Sequence, residues 1–364
     1  MATQIDPVRL RGTELSGSLG QSMSHRVALL APVPLGSPRG NAVTVARIAL
    51  GLATRDVDVR VWDAGADGLL EEATRTVPAV VHAFHAYRAG PLGQMLARAC
   101  HAPLVVTLTG TDVSADLIHP VHGPAVRGVL LGAAAVTAFH DSIVSEVVAA
   151  LPALAGRVTV VPQSVRLMPP KPGEPAPPVG GDPCIVFPAG IRPVKRPCLP
   201  LLALDGLLRQ HPGTRLWYAG PALDPEETRR LRQQLARRPW ARYLGAVPHH
   251  DMPTLLTAAD IVLNCSISEG GMANAVLEAL ALGRAVLASD IPGNRSLVED
   301  GVTGLLFGSE AELADKARRL AGDGGLRRRL GEAGQRLVEL RFTPTAETEG
   351  YLAVYARVAG GGLA

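Results

Sequence analysis

Aromatic residues make up only 4% of this 364-residue chain, so any core has to be built mainly from aliphatic side chains. Cysteine is scarce as well. Cys100, Cys184, Cys198 and Cys265 lie far apart, without the paired spacing of a zinc site or the density of a disulfide scaffold. They read as small buried residues with free thiols, which fits a reducing cytoplasm. No apolar run reaches the length that crosses a bilayer, so no transmembrane segment is expected. Residues 1–24 lack the apolar core of a signal peptide and read as a disordered extension, and a cytoplasmic location is expected. Charge of one sign is lacking too: the net charge is +3, too mild for nucleic acid but suited to an anionic substrate. Arg327-Arg328-Arg329 falls in a helical pattern and reads as a solvated face. Metal-ligand spacing is missing. His249-His250 read as the start of a helix, and Asp56-Val57-Asp58 as the opening of a strand, so neither a metal nor a cofactor is expected.

What the chain has in quantity is glycine, with 39 residues, proline, with 30, and an apolar share of 47%. That length and composition suit two domains of ordinary size. From His25 short apolar runs alternate with helical patterns, the mark of parallel α/β architecture. Strands are expected at 27–32, 57–62, 79–83, 104–108, 135–138 and 158–161, with a loop at 36–40 and a helix at 43–52. Together they make a first doubly wound domain, 25–166. Residues 167–183 are dense in proline and glycine, cannot hold a helix, and read as a linker. A second alternation fills 184–342, with strands near 185–188, 215–218, 241–244, 261–264, 285–288 and 304–307. A last helix is expected at 345–358 within a tail of 343–364.

Open parallel sheets bind ligands at the carboxyl ends of their strands, and the segments richest in chemistry fall there. In 266–307 Glu269 precedes Gly270 and Gly271, Met272-Ala273-Asn274 lead into a helix, and Glu278 lies inside it. Two glycines before a helix let backbone N–H groups approach an anion at the positive helix end. A carboxylate further along that helix would repel phosphate but suits sugar hydroxyls, so the pattern fits a nucleotide-sugar. Gly190 to Lys195 ends the first strand of the second domain and places two basic residues, Arg192 and Lys195, at that strand end. In the first domain Gly36, Gly40 and Asn41 form the first strand-to-helix turn. Thr109 and Asp112 follow a central strand, Asp112 either accepting a bond from a bound acceptor or capping the next helix. His82 and His85 lie at another strand end.

The Glu269–Glu278 segment resembles the signature of retaining glycosyltransferases of family 4, which have the GT-B arrangement of two Rossmann-like domains. Their pattern is E-G-F-G-x-x-x-x-E; here the loop carries one additional residue, so eight residues separate the two glutamates. The run GSPRGNAVTVARIAL, with Thr44 and Arg47, is similar to the selenosugar synthases of selenoneine biosynthesis within that family. The resemblance implies a metal-independent hexosyltransferase whose second domain binds a nucleotide-diphosphosugar, UDP-linked, and whose first domain binds a small soluble acceptor in the crevice between the domains. It implies that Arg192 and Lys195 hold the diphosphate, more closely spaced than usual. It implies too that Glu278 holds the ribose hydroxyls, that Glu269 lies near the sugar, and that the last helix crosses back onto the first domain. Many members have a histidine where Thr109 stands, which leaves His85, and less directly His82, as the nearest substitutes. Two other readings remain: a selenosugar or thiosugar synthase with a selenophosphate-like acceptor, and a two-domain nucleotide-sugar-binding protein without transfer activity.

Overall fold

The computed structural model describes residues 8–10, 26–37, 39–167 and 179–360. The chain divides into two compact units, Met1–Gln163 with Pro344–Ala364, and Ser164–Thr343. Most of the segment expected as a linker, 168–178, lies outside the described residues, as does most of the extension 1–24. Val8–Leu10 is the exception and corrects the expectation of disorder there. It is strand β1, antiparallel to β3 (Asp58–Asp63). The edge of a sheet presents unpaired backbone groups, and a short extended segment can satisfy them whatever its side chains.

The first unit continues with β2 (Arg26–Ala31), β4 (Val80–Phe84), β5 (Leu104–Thr107), β6 (Ala135–Ala138) and β7 (Val158–Val160). The sheet order is β1-β3-β2-β4-β5-β6-β7, and every pairing apart from that of β1 is parallel. Side chains of β2 alternate between its two faces. Ala28 and Leu30 join one core with Leu96 of α3 (Gly90–Ala99), Val129 of α4 (Gly123–Gly132) and Val147 of α5 (Asp141–Ala150). Val27 and Leu29 join the other core, with Ile48 and Leu52 of the first helix, α1 (Gly40–Ala53). A short α2 (Leu69–Arg75) lies between β3 and β4.

The second unit has a six-stranded sheet in the order β10-β9-β8-β11-β12-β13, all parallel. Its strands are β8 (Cys184–Pro188), β9 (Arg215–Ala219), β10 (Ala241–Tyr243), β11 (Ile261–Asn264), β12 (Ala285–Ser289) and β13 (Leu305–Phe307). The helices are α6 (Leu199–Leu204), α7 (Pro225–Leu235), α8 (Met252–Thr257), α9 (Asn274–Ala281), α10 (Pro292–Arg295), α11 (Glu310–Gly322) and α12 (Gly324–Arg341). Phe187, Leu216, Leu263 and Leu287 fill one face of the sheet together with Leu201 of α6 and Leu313 of α11.

The last helix, α13 (Pro344–Val358), belongs to the first unit and packs on α1. A Cβ at Gly51 would overlap the Thr348 hydroxyl, so glycine permits the close crossing. There Arg47 and Glu347 form a two-pronged ion pair, Nε–Oε2 2.9 Å and Nη2–Oε1 2.8 Å, with side chains 7% and 3% exposed. Removing one partner leaves a charge stranded in the core. We expect Glu347→Ala to cost about 3–5 kcal/mol of unfolding free energy, and Arg47→Met/Glu347→Leu far less. Urea titrations of both variants check this; equal losses would show that the pair itself, and not a stranded charge, carries the stability.

Candidate nucleotide-sugar site

Three loops at the carboxyl ends of β8, β11 and β12 meet around Glu269. Its Oε1 accepts from Lys195 Nζ, from Ser266 Oγ at 2.6 Å and from Asn264 Nδ2 at 2.9 Å. Burial by itself would raise the Glu269 pKa. The Lys195 ammonium and the three hydrogen bonds outweigh it and hold the carboxyl below its ordinary value, so Glu269 is an anion at neutral pH. A second layer fixes the donors. Asn264 Oδ1 accepts the Ser266 N–H at 3.0 Å, and the fully buried Asn294 donates to Asn264 Oδ1 at 3.3 Å and to the Ser289 carbonyl at 2.9 Å. A Cβ at Gly293 would lie 2.7 Å from both Glu269 Cβ and the Gly271 carbonyl, so glycine there lets α10 seat beneath the loop.

Lys195 ends a 3₁₀ turn, Pro193–Lys195, that begins from an extended Arg192. Two bonds lock this turn to the Glu269 loop: Ile267 N–H to the Val194 carbonyl at 2.9 Å, and Arg196 Nε to the Cys265 carbonyl at 2.7 Å. Arg196 holds the left-handed conformation, φ 47°, that turns its side chain back to make this bond. Gly190 precedes the turn, close to Leu223, and Arg192 is exposed. Gly270 and Gly271 are half-buried, Met272 and Ala273 are buried, and Asn274 opens α9. Ala273 offers no side-chain cap and the first turn holds no acidic residue, so no negative charge of the helix itself opposes an anion at its start. Lys195 and the α9 N-terminus thus belong to one rigid group.

Glu278 lies one turn further along α9, its side chain 11% exposed, and its Oε1 pairs with His249 Nε2 at 2.9 Å. The sequence reading missed this partner. His249 begins the short turn His249–Asp251 that runs into α8. Among the described residues no group of three or more His, Cys, Asp or Glu could hold a metal ion. Asp58 pairs with Arg26 at 2.9 Å, and Asp56 stands in the left-handed region ahead of β3.

The first unit revises several expectations. Gly40 and Asn41 are the first residues of α1 and not part of the loop, because the helix starts three residues earlier than the apolar pattern does. Among the described residues a Cβ at Gly36 meets nothing within 4 Å, so none of them imposes a need for glycine there. His82 is wholly buried. Its Nδ1 bonds Tyr355 Oη at 2.7 Å, its Nε2 bonds Thr107 Oγ1 at 2.6 Å, and burial pushes it down to about 3. His85 is no open substitute for the missing histidine either. It is fully buried at φ 79°, its Nδ1 accepts long bonds from the Tyr87 and Arg88 N–H groups, and Nε2 bonds Thr111 Oγ1 at 3.0 Å. Asp112 is equally buried, its carboxylate taken by the N–H groups of Ala86 (2.9 Å), Thr109 (3.1 Å) and Gly110 (2.6 Å), which ties the β4 loop to the β5 loop. Thr109 Oγ1 is buried without a hydrogen-bond partner among the described residues. Beside them Asp116 accepts from His122 Nδ1 at 2.7 Å, and the His122 ring stacks on Tyr87 with centroids 3.9 Å apart.

The family described as "Glycosyl transferases group 1" matches residues 174–337, which contain this whole second-unit site. The chain is also 30% identical over 319 residues to a D-inositol 3-phosphate glycosyltransferase of Actinosynnema mirum, a match covering 80% of this chain and 76% of that one. It belongs to the group 1 glycosyltransferases. A glycosyltransferase 1 domain-containing protein of Xenopus tropicalis is 30% identical over 162 residues, 44% of this chain, but that match spans only 47% of the relative's length. The match to the Nocardia farcinica D-inositol 3-phosphate glycosyltransferase likewise spans 42% of that protein. Among solved structures, Anabaena HepE in complex with UDP and glucose superposes with a TM-score of 0.74 at 18% identity, covering 92% of this chain and all of that one. Sucrose-phosphate synthase from Thermosynechococcus elongatus gives 0.73, also at 18%, with 92% and 99% covered. This group 1 member therefore has the GT-B fold, with its two Rossmann-like domains.

The buried His82 gives the first domain an acid sensitivity. Its ordinary pKa is 6.5 and its folded value about 3. Below pH 6.5 the unfolded chain binds a proton that the fold excludes, so stability falls as the pH drops from 6.5 toward 3 and is level above. By pH 5 the loss should reach roughly 2 kcal/mol. The unfolding free-energy gap between wild type and His82→Gln should narrow by about that amount between pH 7 and pH 5. Denaturant titrations at the two pH values measure it, and a constant gap would contradict the neutral buried imidazole.

Proposed function

We propose that the protein moves a hexose from a UDP-linked donor to a small soluble acceptor with retention at the anomeric carbon and without a metal ion. The observation that carries this reading is the group formed by Lys195, the Glu269 loop and the start of α9, with Glu278 one turn beyond. A ligand with phosphates at the helix start and hydroxyls near Glu278 matches that order of charges. The UDP bound to HepE supports the choice of nucleotide.

Cleavage of the glycosidic bond sends its electron pair onto the diphosphate, whose negative charge grows as the sugar leaves. Fixed cations and helix N–H groups stabilise that charge more in the transition state than in the ground state, and only such a difference speeds the step. Glu269 aims the Lys195 ammonium, and Arg192 lies on the same turn. The acceptor then bonds to the anomeric carbon on the face the diphosphate leaves, and its proton passes to a leaving oxygen. No protein nucleophile is assigned. The likeness of residues 36–50 to selenosugar synthases supports a selenophosphate-like acceptor as the second reading. Release of UDP from labelled UDP-sugars, with hydroxyl, thiol and selenophosphate acceptors supplied in parallel, tests transfer and separates the two; a protein that binds UDP-sugar and never turns over would be a binding protein.

Lys195→Ala and Arg192→Ala should each lower turnover at saturating donor on the order of 10²-fold. Steady-state rates beside thermal melts check this, and near wild-type turnover in both would misplace the diphosphate. Exhaustive chelation should cost at most a few-fold in rate. Activity abolished by a chelator and restored by magnesium or manganese would sink the metal-free reading.

A further inference from the structure

The loop after β10 passes Gly245 and reaches Pro248, from which His249 starts the turn into α8. This brings an imidazole from one loop onto a carboxylate from another element, α9, with Nε2 and Oε1 2.9 Å apart. The two partners differ in burial. Glu278 is 11% exposed at its side chain and His249 41%, so the histidine stands at the rim and the carboxylate behind it. Glu278 lies four residues into α9, which places it about 6 Å along the axis from the helix start. That rise separates a group beside Glu278 from phosphates at the helix N-terminus by roughly the span from a nucleotide's phosphates to its sugar hydroxyls.

The carboxylate's two oxygens are not equivalent. Oε1 takes His249, while among the described residues no donor reaches Oε2. A free glutamate side chain rotates about its last bond and presents either oxygen. Once one oxygen is tied, the plane of the carboxylate and the direction of the other are set. An acceptor whose direction is set distinguishes a ligand with a hydroxyl at that point from one without, because the second leaves a partly buried anion unpaired.

We propose that His249 is a positioning residue for the donor's ribose. By donating Nε2–H to Glu278 Oε1 it fixes Oε2 toward the vicinal hydroxyls, and the pair selects ribonucleotide over 2′-deoxyribonucleotide donors. This rests on the reading of Glu278 as the ribose-binding carboxylate, and the experiment separates the two claims. It needs no acceptor.

Calorimetry with UDP and 2′-deoxy-UDP is carried out on wild type, Glu278→Ala, His249→Ala and His249→Gln, each checked for folding by thermal melts. Wild type should bind UDP at least about 10-fold more tightly than 2′-deoxy-UDP, the size of one charge-assisted hydrogen bond. His249→Ala should lose most of that preference by weakening UDP alone. His249→Gln, which keeps an N–H donor, should recover part of it. Equal weakening of both nucleotides in His249→Ala would mean that His249 only supports its loop, and overturns the proposal. Tighter UDP binding in that variant would mean that the imidazole competes with ribose, and also overturns it. If Glu278→Ala abolishes the preference but His249→Ala keeps it, the positioning role falls and the ribose reading stands. If Glu278→Ala keeps the preference, or wild type fails to bind UDP, both fall together.

Discussion

The second-unit site is organised by the cost of burying the Glu269 carboxylate. A charge taken out of water must be paired and hydrogen-bonded, or it takes up a proton. Here one oxygen gathers Lys195, Ser266 and Asn264, which come from two different strand ends. Meeting that demand fixes the position of a cation, closes the β8 turn onto the β11 loop, and draws in Asn294 and Ser289 beneath. The same contacts hold the glycine pair and the start of α9 in place. The chemistry proposed for the site needs donors that are already positioned, because reorganisation during the reaction would consume the stabilisation they give.

The first unit meets the same problem with different parts. Arg47 and Glu347 join the first and last helices of the unit across 300 residues of chain, so the C-terminal helix is bound to the first domain by an electrostatic contact as well as by Tyr351 and Tyr355 in the apolar core. Buried polar groups also fill the middle of that sheet, where His82 links Thr107 and Tyr355. Groups that look reactive in a sequence are consumed here in holding strands and loops together. Asp112 shows it most plainly, since among the described residues its carboxylate hydrogen bonds all come from backbone N–H groups.

Much of the fold was legible because apolar periodicity is a local property. The strands at 135–138 and 261–264 coincide with the observed ones, and the others lie within a residue or two. That Glu269, Lys195 and Glu278 stand by strand ends and a helix start was legible, because glycine pairs and charged residues there form a local pattern. Asn264, Ser266, Asn294 and Arg196 were not, although Asn264 and Ser266 bond Glu269 and the other two brace the loops around it. Asparagine and serine at strand ends have many ordinary uses, and only packing shows which of them face a buried charge. β1 escaped for a related reason: a three-residue edge strand has too few residues to display a period, and what holds it is the open edge of β3.

By itself the sequence determined two parallel α/β domains and the strand ends at which Glu269, Lys195 and Glu278 gather. These follow from the order of residue types along short stretches. The tertiary structure decided which side chains are spent and which remain available. It buried His82 and His85, turned Asp112 onto backbone amides, and set His249 against Glu278 across 29 residues of chain. Such pairings depend on distances between segments remote in sequence, and a hydrogen bond forms or fails within a few tenths of an ångström, a scale that no local pattern specifies.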